Sequence, residues 1–468
     1  MRMNRSFARM RPLLLMALVL TFVLAAQVAP TYAATITVDT TADDFTVNGN
    51  CTLREAVEAA NTNAVVDTCA SGAAGADDII FSVGGTITLV QALGQLSVLD
   101  TPLSIIGPIT IDGGRTGAGG SGSRVFLVGN PLINDTLPRS LSLSGVVVRN
   151  GRPNISVAAS SNSGGAVNSS GGCVYVRPNS TFSISASTIT GCRAPNGAGI
   201  FADEDTTVNV NNSSLISLNI ASTNGGGINI TTGFVTVDTE SCIQSNSAGS
   251  VGGGIYAGDT VFITMGGGSA SNRGFLIANS AGGGGGGIYM DVNSTFVGNH
   301  ARMFSNTSFG PGSAWFSQGG SSSSNGADVG RSCVNCCIVN NSFIAGNTNY
   351  AVYQEVGGLI ANFQNNWWGN NWGPRIFDLD PTQADTTIGS SVSNGDGISG
   401  DGALAVNVGL TDDGSWNNPR PTGAWLTALQ ASPAPAVPET RPSDCQNDIC
   451  TAASSVATTR SCTVIKLT

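Results

Sequence analysis

The chain has 468 residues, a net charge of −10 and 62 glycines, and only 11% of its residues are charged. Soluble domains usually carry about 25% charged residues, so this surface is expected to be polar but nearly uncharged. The single lysine, Lys466, and the acidic balance argue against a nucleic-acid partner, because phosphate binding requires clustered positive charge.

The first 33 residues have the pattern of a secretory signal peptide. Arginines up to Arg11 precede an apolar stretch at 13–26, and Thr31 and Ala33 offer small side chains at positions −3 and −1 for cleavage between Ala33 and Ala34. No second apolar run of membrane-spanning length follows, so the mature chain is expected to have no transmembrane segment and to be secreted or held at the cell surface. An uncleaved N-terminal anchor is the alternative interpretation.

Residues 34–70 are predicted to form an N-terminal cap with one short amphipathic helix. Thr52 and Glu55 have the spacing of a capping box. Four apolar residues then recur at helical spacing and predict a buried helix face, namely Leu53, Ala56, Val57 and Ala60. Cys51 and Cys69 flank this segment and form a natural disulfide pair.

Two columns of residues recur with a period of about 27 residues. The first is a Gly-rich tripeptide followed by an apolar residue, such as Gly225–Gly227 before Ile228. The second is an asparagine three residues after an apolar residue, and its members are Asn219, Asn246, Asn279, Asn306 and Asn347. Cys192 stands at the asparagine position of an earlier repeat.

This period predicts an all-β fold, a right-handed parallel β-helix over residues 71–372. Short alternating segments such as 234–237 fit strands, and stacked coils pair strand on strand around a continuous core. The asparagine column predicts an internal ladder of side-chain amides. A β-propeller is the rival fold, but its blades repeat about every 40–50 residues.

Eleven cysteines in an exported chain indicate disulfides. Cys173 and Cys192 lie within the repeats and are further candidates, but the connectivity cannot be derived from the sequence. A CxxC occurs at 333–336, where a disulfide or a buried thiol is favoured over a zinc or redox site because no histidine lies near it.

The C-terminal part is divided into a cap region at 373–431 and a Pro-rich linker with a Cys-containing tail at 432–468. Three tryptophans, Trp367, Trp368 and Trp372, stand where the repeats end. They are interpreted as an aromatic plug of the core, with a glycan-binding platform as the alternative.

The segment CTLREAVEAAN at 51–61, preceded by TVDTTADD at 37–44, resembles the "CSLREA" N-terminal motif. The segment NWWGNNWGP at 366–374 resembles the "NNWWGxNxGP" element of the same proteins. These are bacterial secreted or surface parallel β-helix proteins related to the polymorphic outer-membrane-protein repeats. The resemblance covers about residues 35–376 and implies a β-helix that is secreted or at the cell surface, although Thr52 stands where serine is usual.

Catalytic groups are sparse. Glycoside hydrolysis needs two carboxylates at a fixed separation, and β-elimination needs a base, commonly with Ca²⁺. The closest approach to such a cluster is a set of four weak candidates, Asp203, Asp205, Asp238 and Glu240, for which a solvated turn is the favoured interpretation.

Calcium is the one ion for which the sequence offers weak candidates, and no other cofactor is predicted. These candidates are Asp43, Asp44, Asp396 and Asp401, whose spacing matches neither an EF-hand nor the nonapeptide calcium repeat.

The leading hypothesis is therefore a non-catalytic secreted or cell-surface protein for adhesion, with a polysaccharide or a surface protein as its partner. One alternative is a polysaccharide lyase or glycoside hydrolase of the pectate-lyase-like type. The other is a fibre-like or spike-like structural protein.

Overall fold

The structure is a computed structural model that describes residues 33–317, with gaps at 101, 118, 131–136, 154–168, 268–271 and 311. After residue 317 it describes only the backbone of strands between 334 and 407.

The chain winds as a right-handed parallel β-helix, which confirms the predicted fold class. One coil consists of the strands Ile228–Ile230, Gly233–Val237 and Ser241–Gln244 and a two-residue strand, Ser247–Ala248. The first three define faces 1, 2 and 3 of the rod. Each pairs in parallel with the equivalent strand of the next coil, so that Ile228 lies opposite Ile255 and Ile243 lies opposite Leu276.

The strands of the described residues group into three sheets. Face 1 contains, in spatial order, Leu96–Val98, Phe126–Val128, Val174–Val176, Ile200–Ala202, Ile228–Ile230, Ile255–Ala257, Ile288–Met290, Trp315–Ser317, Tyr350–Gln354, Gly397–Gly400 and Arg375–Asp378. The short sheet contains Arg193–Ala194, Ile220–Ala221, Ser247–Ala248, Ser280–Ala281 and Thr307–Ser308.

Faces 2 and 3 belong to one sheet, because two ten-residue strands, Leu103–Asp112 and Ser140–Arg149, run through both faces. The N-terminal strands of this sheet are Ala34–Val38, Asp77–Phe81 and Thr86–Thr88. Face 2 continues with Thr181–Ser185, Thr206–Asn211, Gly233–Val237, Val261–Met265, Thr295–Asn299, Val334–Asn340, Ile360–Asn362 and Val406–Asn407. Face 3 continues with Thr188–Thr190, Leu215–Ser217, Ser241–Gln244, Gly274–Ile277, Arg302–Phe304 and Phe343–Ala345.

The core is a stack of inward-facing aliphatic side chains. Strands alternate, so in Thr206–Asn211 the residues Val208 and Val210 are buried while their neighbours are partly exposed. The same alternation recurs in each stacked coil, and inward residues such as Ile200 and Ile228 are fully buried. Burying one such side chain contributes about 1.5–3 kcal/mol to the free energy of unfolding. This contribution depends on the next coil, because that coil covers the side chain.

The asparagines form a continuous internal ladder. Nδ2 of Asn219 donates to Oδ1 of Asn246 over 3.0 Å, and Nδ2 of Asn246 donates to Oδ1 of Asn279 over 3.0 Å. Asn279 donates in the same way to Asn306 over 3.1 Å. The same Oδ1 atoms accept backbone N–H groups, for example that of Asn219 on Asn246. The buried amides are therefore satisfied along the axis.

The N-terminal helix, Leu53–Thr62, closes the first coil. Its capping box is present, since Thr52 Oγ1 accepts the N–H of Glu55 and the N–H of Thr52 donates to Oε2 of Glu55. Beta pairing begins before the helix, because Ala34–Val38 already pairs with Asp77–Phe81. A short 3-10 helix, Gln91–Leu93, follows Thr86–Thr88.

Polar side chains hold the helix against the coils. Arg54 forms an ion pair with the buried Asp43 at 2.8 Å and donates to the carbonyls of Leu93, Gly94 and Gln95. Further along the helix, the carboxamide of Asn61 hydrogen-bonds the backbone around residues 97–100. These contacts give the LREAVEAAN segment a structural role.

Both predicted disulfides are present, Cys51–Cys69 at the helix and Cys173–Cys192 inside the coils. Cys242 is also disulfide-bonded. The described part of the chain contains no helix with the length and hydrophobicity that a membrane crossing requires.

Candidate functional site

The outward side of face 1 carries a column of aromatic side chains. The middle residue of each three-residue strand points away from the core, and strand pairing places these residues above one another. We call the following residues the aromatic column: Tyr175, Phe201, Tyr256, Tyr289 and Phe316. Asn229 occupies the corresponding position between Phe201 and Tyr256.

The rings of the column contact each other from coil to coil. Tyr256 and Tyr289 stack with their centroids 5.6 Å apart, and Tyr289 and Phe316 stack at 4.7 Å, both with interplanar angles of 9°. Tyr175 and Phe201 meet edge to face at 5.2 Å. Because Asn229 interrupts the column, it divides into an N-terminal pair and a C-terminal stack of three.

A glycine at each corner makes room for the column. The first glycine of the tripeptide has a positive φ, 69° at Gly252 and 65° at Gly285. A Cβ atom added to Gly252 would lie 2.8 Å from Cβ of Tyr256, and one on Gly285 would lie 2.6 Å from Cβ of Tyr289. Glycine is therefore required both by the left-handed conformation and by the close approach of the backbone and Cβ atom of the strand that follows.

Two tyrosine hydroxyls of the column donate to carboxylates. Tyr175 donates to Asp203 over 2.8 Å, and Tyr256 donates to Asp291 over 3.1 Å. Burial, followed by the neighbouring carboxylate, raises the pKa of both phenols above its ordinary value. Both tyrosines thus stay protonated at neutral pH and act as donors, which makes neither a candidate base.

Two arginines flank the N-terminal pair. Arg177 donates to the hydroxyl of Tyr175 over 3.2 Å, and the guanidinium of Arg124 lies 5.0 Å from the centroid of the same ring. Burial lowers the pKa of Arg124 to about 10, so it remains charged at neutral pH. Arg124 also donates to the carbonyls of Ser170 and Gly171, which fixes it in place.

The four acidic candidates do not form one cluster. Asp203 and Asp205 lie at the corner before the face 2 strand Thr206–Asn211, whereas Asp238 and Glu240 follow the equivalent strand in the next coil. The two corners are separated by the length of that strand, roughly 16–20 Å at 3.3 Å per residue. Glycosidases need their carboxylates about 5–9.5 Å apart.

Each of these acids has a local partner. Asp203 binds Tyr175, and Asp205 accepts from the hydroxyl of Thr232. Asp238 accepts from the hydroxyl of Thr239. Glu240 lies 3.7 Å from Arg273, and burial raises its pKa while Arg273 and Arg302 oppose the shift.

The N-terminal calcium candidates also have protein partners. Both oxygens of Asp43 accept from Arg54, and one accepts the N–H of Val90. Asp44 accepts from Thr46 and Asn48 within a turn. Across the residues that the structure describes, no three His, Cys, Asp or Glu side chains come together as metal-ligating groups do.

Several predictions fall outside the described residues. They concern the signal peptide at 1–32, the cap region apart from its strands, the tail, and the side chains of Asn347, Trp367, Trp368, Trp372, Asp396 and Asp401. The sequence reasoning did not identify the aromatic column. Its signal is the residue directly after the apolar position of each Gly-rich repeat, which is Tyr or Phe in most coils.

Comparison with protein-family models, with curated proteins and with solved structures found no match to this chain.

Proposed function

We propose that this protein is a non-catalytic contact protein, secreted or held at the cell surface, that binds a neutral polysaccharide at Tyr256 and Tyr289, the partly exposed tyrosines of the aromatic column. The observation that carries the proposal is the combination of stacked rings with hydrogen-bonded carboxylates at Tyr256, Tyr289 and Asp291. The faces of the Tyr256 and Tyr289 rings lie against each other, so a sugar would contact their partly exposed edges, and carboxylate oxygens accept hydrogen bonds from sugar hydroxyls. A column that repeats once per coil suits a polymer that repeats along its own axis.

The charge of the chain favours a neutral ligand. The net charge is −10, so a uronate polymer would meet repulsion, and like-charge juxtaposition costs several kcal/mol. Asp203 and Asp291 lie at the same corner of the rod, three coils apart. Their N–H groups donate to the carbonyls of Val176 and Ala257, which end two face 1 strands that are three pairings apart. That is roughly 14 Å at about 4.8 Å per coil, too far for the carboxylate pair of a glycosidase.

Localisation and family membership belong to the same proposal. The two internal disulfides support an oxidising compartment. The resemblance of 51–61 to the CSLREA motif supports a place among bacterial secreted or surface β-helix proteins, and in the structure this segment closes the rod.

The test is titration of the purified mature protein with soluble glucan, mannan and galactan, followed by calorimetry, with polygalacturonate as the charged comparator. We expect one neutral polymer to bind, and the double substitution Tyr256→Ala/Tyr289→Ala to weaken its binding at least tenfold. Phe234→Ser is the matched control, because Phe234 is an exposed ring on face 2. Equal binding by the double variant and the control would contradict the proposal.

The same samples distinguish the alternatives. Release of unsaturated or new reducing-end products would favour a lyase or a hydrolase. Concentration-dependent assembly into fibres without polysaccharide would favour the structural protein.

A further inference from the structure

The outward side of face 3 carries an apolar strip that is buried. The strip consists of Leu215, Cys242, Phe275, Ile277 and Phe304 and forms a cluster separate from the core. Strand pairing shows that these residues point outward, since their neighbours Ile243 and Leu276 belong to the core. Their exposed fractions lie between 0% and 8%.

Outward rings of the same coils are exposed on the adjoining face. Phe234 and Phe262 on face 2 are 56% and 39% exposed, whereas Phe275 on face 3 is 0% exposed. An apolar outward strip that excludes water needs a covering segment. Among the apolar residues that the structure describes, Ala278 is the partly buried one that packs against the strip.

Cys242 identifies the covering segment. It lies within the strip and is disulfide-bonded, while the other disulfides of the described residues use Cys51, Cys69, Cys173 and Cys192. The remaining cysteines of the chain are Cys333, Cys336, Cys337, Cys445, Cys450 and Cys462.

Backbone geometry excludes Cys333, Cys336 and Cys337 as disulfide partners of Cys242. Cys336 and Cys337 belong to the strand Val334–Asn340, which is three strand pairings away from the face 2 strand of the coil that contains Cys242. Three spacings amount to roughly 14 Å, whereas a disulfide requires Cα atoms within about 7 Å. Cys333 is one residue from Val334 and gains at most about 3.8 Å.

We propose that the C-terminal tail, residues 432–468, packs over the apolar strip of face 3 and is bonded to Cys242 through Cys445, Cys450 or Cys462. The chain can reach the strip, because about 38 residues separate Asn407 from Cys445 and can span over 100 Å when extended. The tail offers matching apolar residues beside its cysteines, namely Ile449, Val464 and Ile465. The Pro-rich linker at 432–444 suits an extended return path.

The bond forms by thiol–disulfide exchange. The two thiols lose two protons and two electrons, and an external disulfide accepts the electrons and is reduced to two thiols. The covalent link would hold the tail at a high local concentration over the strip, so that apolar contacts of modest strength suffice to cover it.

A tryptic map under non-reducing conditions, after alkylation of free thiols, tests the proposal. Because trypsin does not cleave before proline, the fragment 194–273 carries Cys242 alone, 332–375 carries the cysteines of the CxxC region, and 376–460 and 461–466 carry those of the tail. We expect 194–273 joined to 376–460 or to 461–466. Its recovery joined to 332–375, joined to itself or alkylated would overturn the proposal.

Limited proteolysis of the full chain supplies a second readout. In Cys242→Ser we expect thermolysin to cleave within 432–468 at least tenfold faster than in the wild type. Phe234→Ser, which changes an outward residue of the same coil on face 2, should leave that rate unchanged. Equal cleavage rates in Cys242→Ser and the wild type would show that the tail is not held there.

Discussion

The backbone N–H of Cys192 donates to Oδ1 of Asn219 over 2.9 Å, so Cys192 holds the ladder position in its own coil. Its disulfide partner Cys173 precedes Val174, and Gly199 precedes the paired Ile200 in the next coil. A Cβ atom added to Gly199 would lie 3.0 Å from Nδ2 of Asn219. At this position one coil has the disulfide Cys173–Cys192. The next coil has Gly199 packed against the side-chain amide of Asn219.

This equivalence predicts how the disulfide can be replaced. Removing the disulfide lowers the free energy of unfolding by about 3 kcal/mol. The double substitution Cys173→Gly/Cys192→Asn should recover part of that loss, because the new amide extends the ladder, and one net hydrogen bond contributes about 1 kcal/mol. We therefore expect the double variant to unfold at a higher urea concentration than Cys192→Ala. A lower midpoint for the double variant would show that the two contacts are not interchangeable.

An asparagine in the interior of the ladder should be sensitive to substitution, because its side-chain amide bonds to both neighbouring coils. Asn246 accepts from Asn219 and donates to Asn279 and to the carbonyl of Ile216. Asn246→Ala leaves these buried groups unpaired, at a cost of about 1–3 kcal/mol each. We expect a loss of at least 3 kcal/mol in the free energy of unfolding from urea titration. Asn209→Ala, on the outward side of face 2, should cost less than about 1 kcal/mol, and equal losses would contradict the ladder's role.

One of the contacts that hold the cap helix is a buried ion pair. Arg54 and Asp43 have side-chain exposures of 10% and 1%, and loss of one partner of a buried pair costs about 3–5 kcal/mol. Arg54→Met should therefore accelerate hydrogen exchange throughout Leu53–Thr62. Arg149→Met is the control, because Arg149 is 43% exposed in its pair with Asp112 and such pairs contribute about 0–1 kcal/mol. Unchanged exchange in Arg54→Met would indicate that the helix does not depend on this ion pair.

The ionisation of Asp77 makes the free energy of unfolding depend on pH. Burial, opposed by the N–H groups of Ala73 and Ala34, raises the pKa of this carboxyl above its ordinary value of 3.8. The folded chain therefore binds a proton more tightly than the unfolded chain, and the free energy of unfolding falls as the pH rises from 3.8 through the raised pKa. Asp77→Asn cannot ionise, so its stability relative to the wild type should increase over that interval. A difference in urea midpoint that is independent of pH would refute this sign.

The repeat made the fold predictable, because Ile228, Ile255 and their equivalents must coincide for the core to close. The capping box at Thr52 and the flanking cysteines were local signals of the same kind. The aromatic column was not predicted, since the residue after each apolar position has no fixed chemistry and Asn229 interrupts the pattern. The strip at Phe275 and Ile277 could not be predicted either, because strand alternation alone expects outward residues to meet water.

The interruption of the aromatic column at Asn229 can be removed by a substitution. Asn229 is 5% exposed and lies between Phe201 and Tyr256, and its corner glycine, Gly225, has a φ of 64° like the glycines beside the tyrosines. Asn229→Tyr should join the two parts of the column, and each aromatic contact contributes about 0.5–1.5 kcal/mol beyond its buried area. We expect a higher thermal unfolding midpoint.

Asn209→Tyr, on face 2, is the matched control, because its strand neighbours Ser183 and Thr236 carry no ring for it to contact. A midpoint for Asn229→Tyr that is no higher than that of this control would show that the rings of face 1 do not act as one stack. Because the measurement needs no ligand, it separates the stacking of the column from the binding proposed for it.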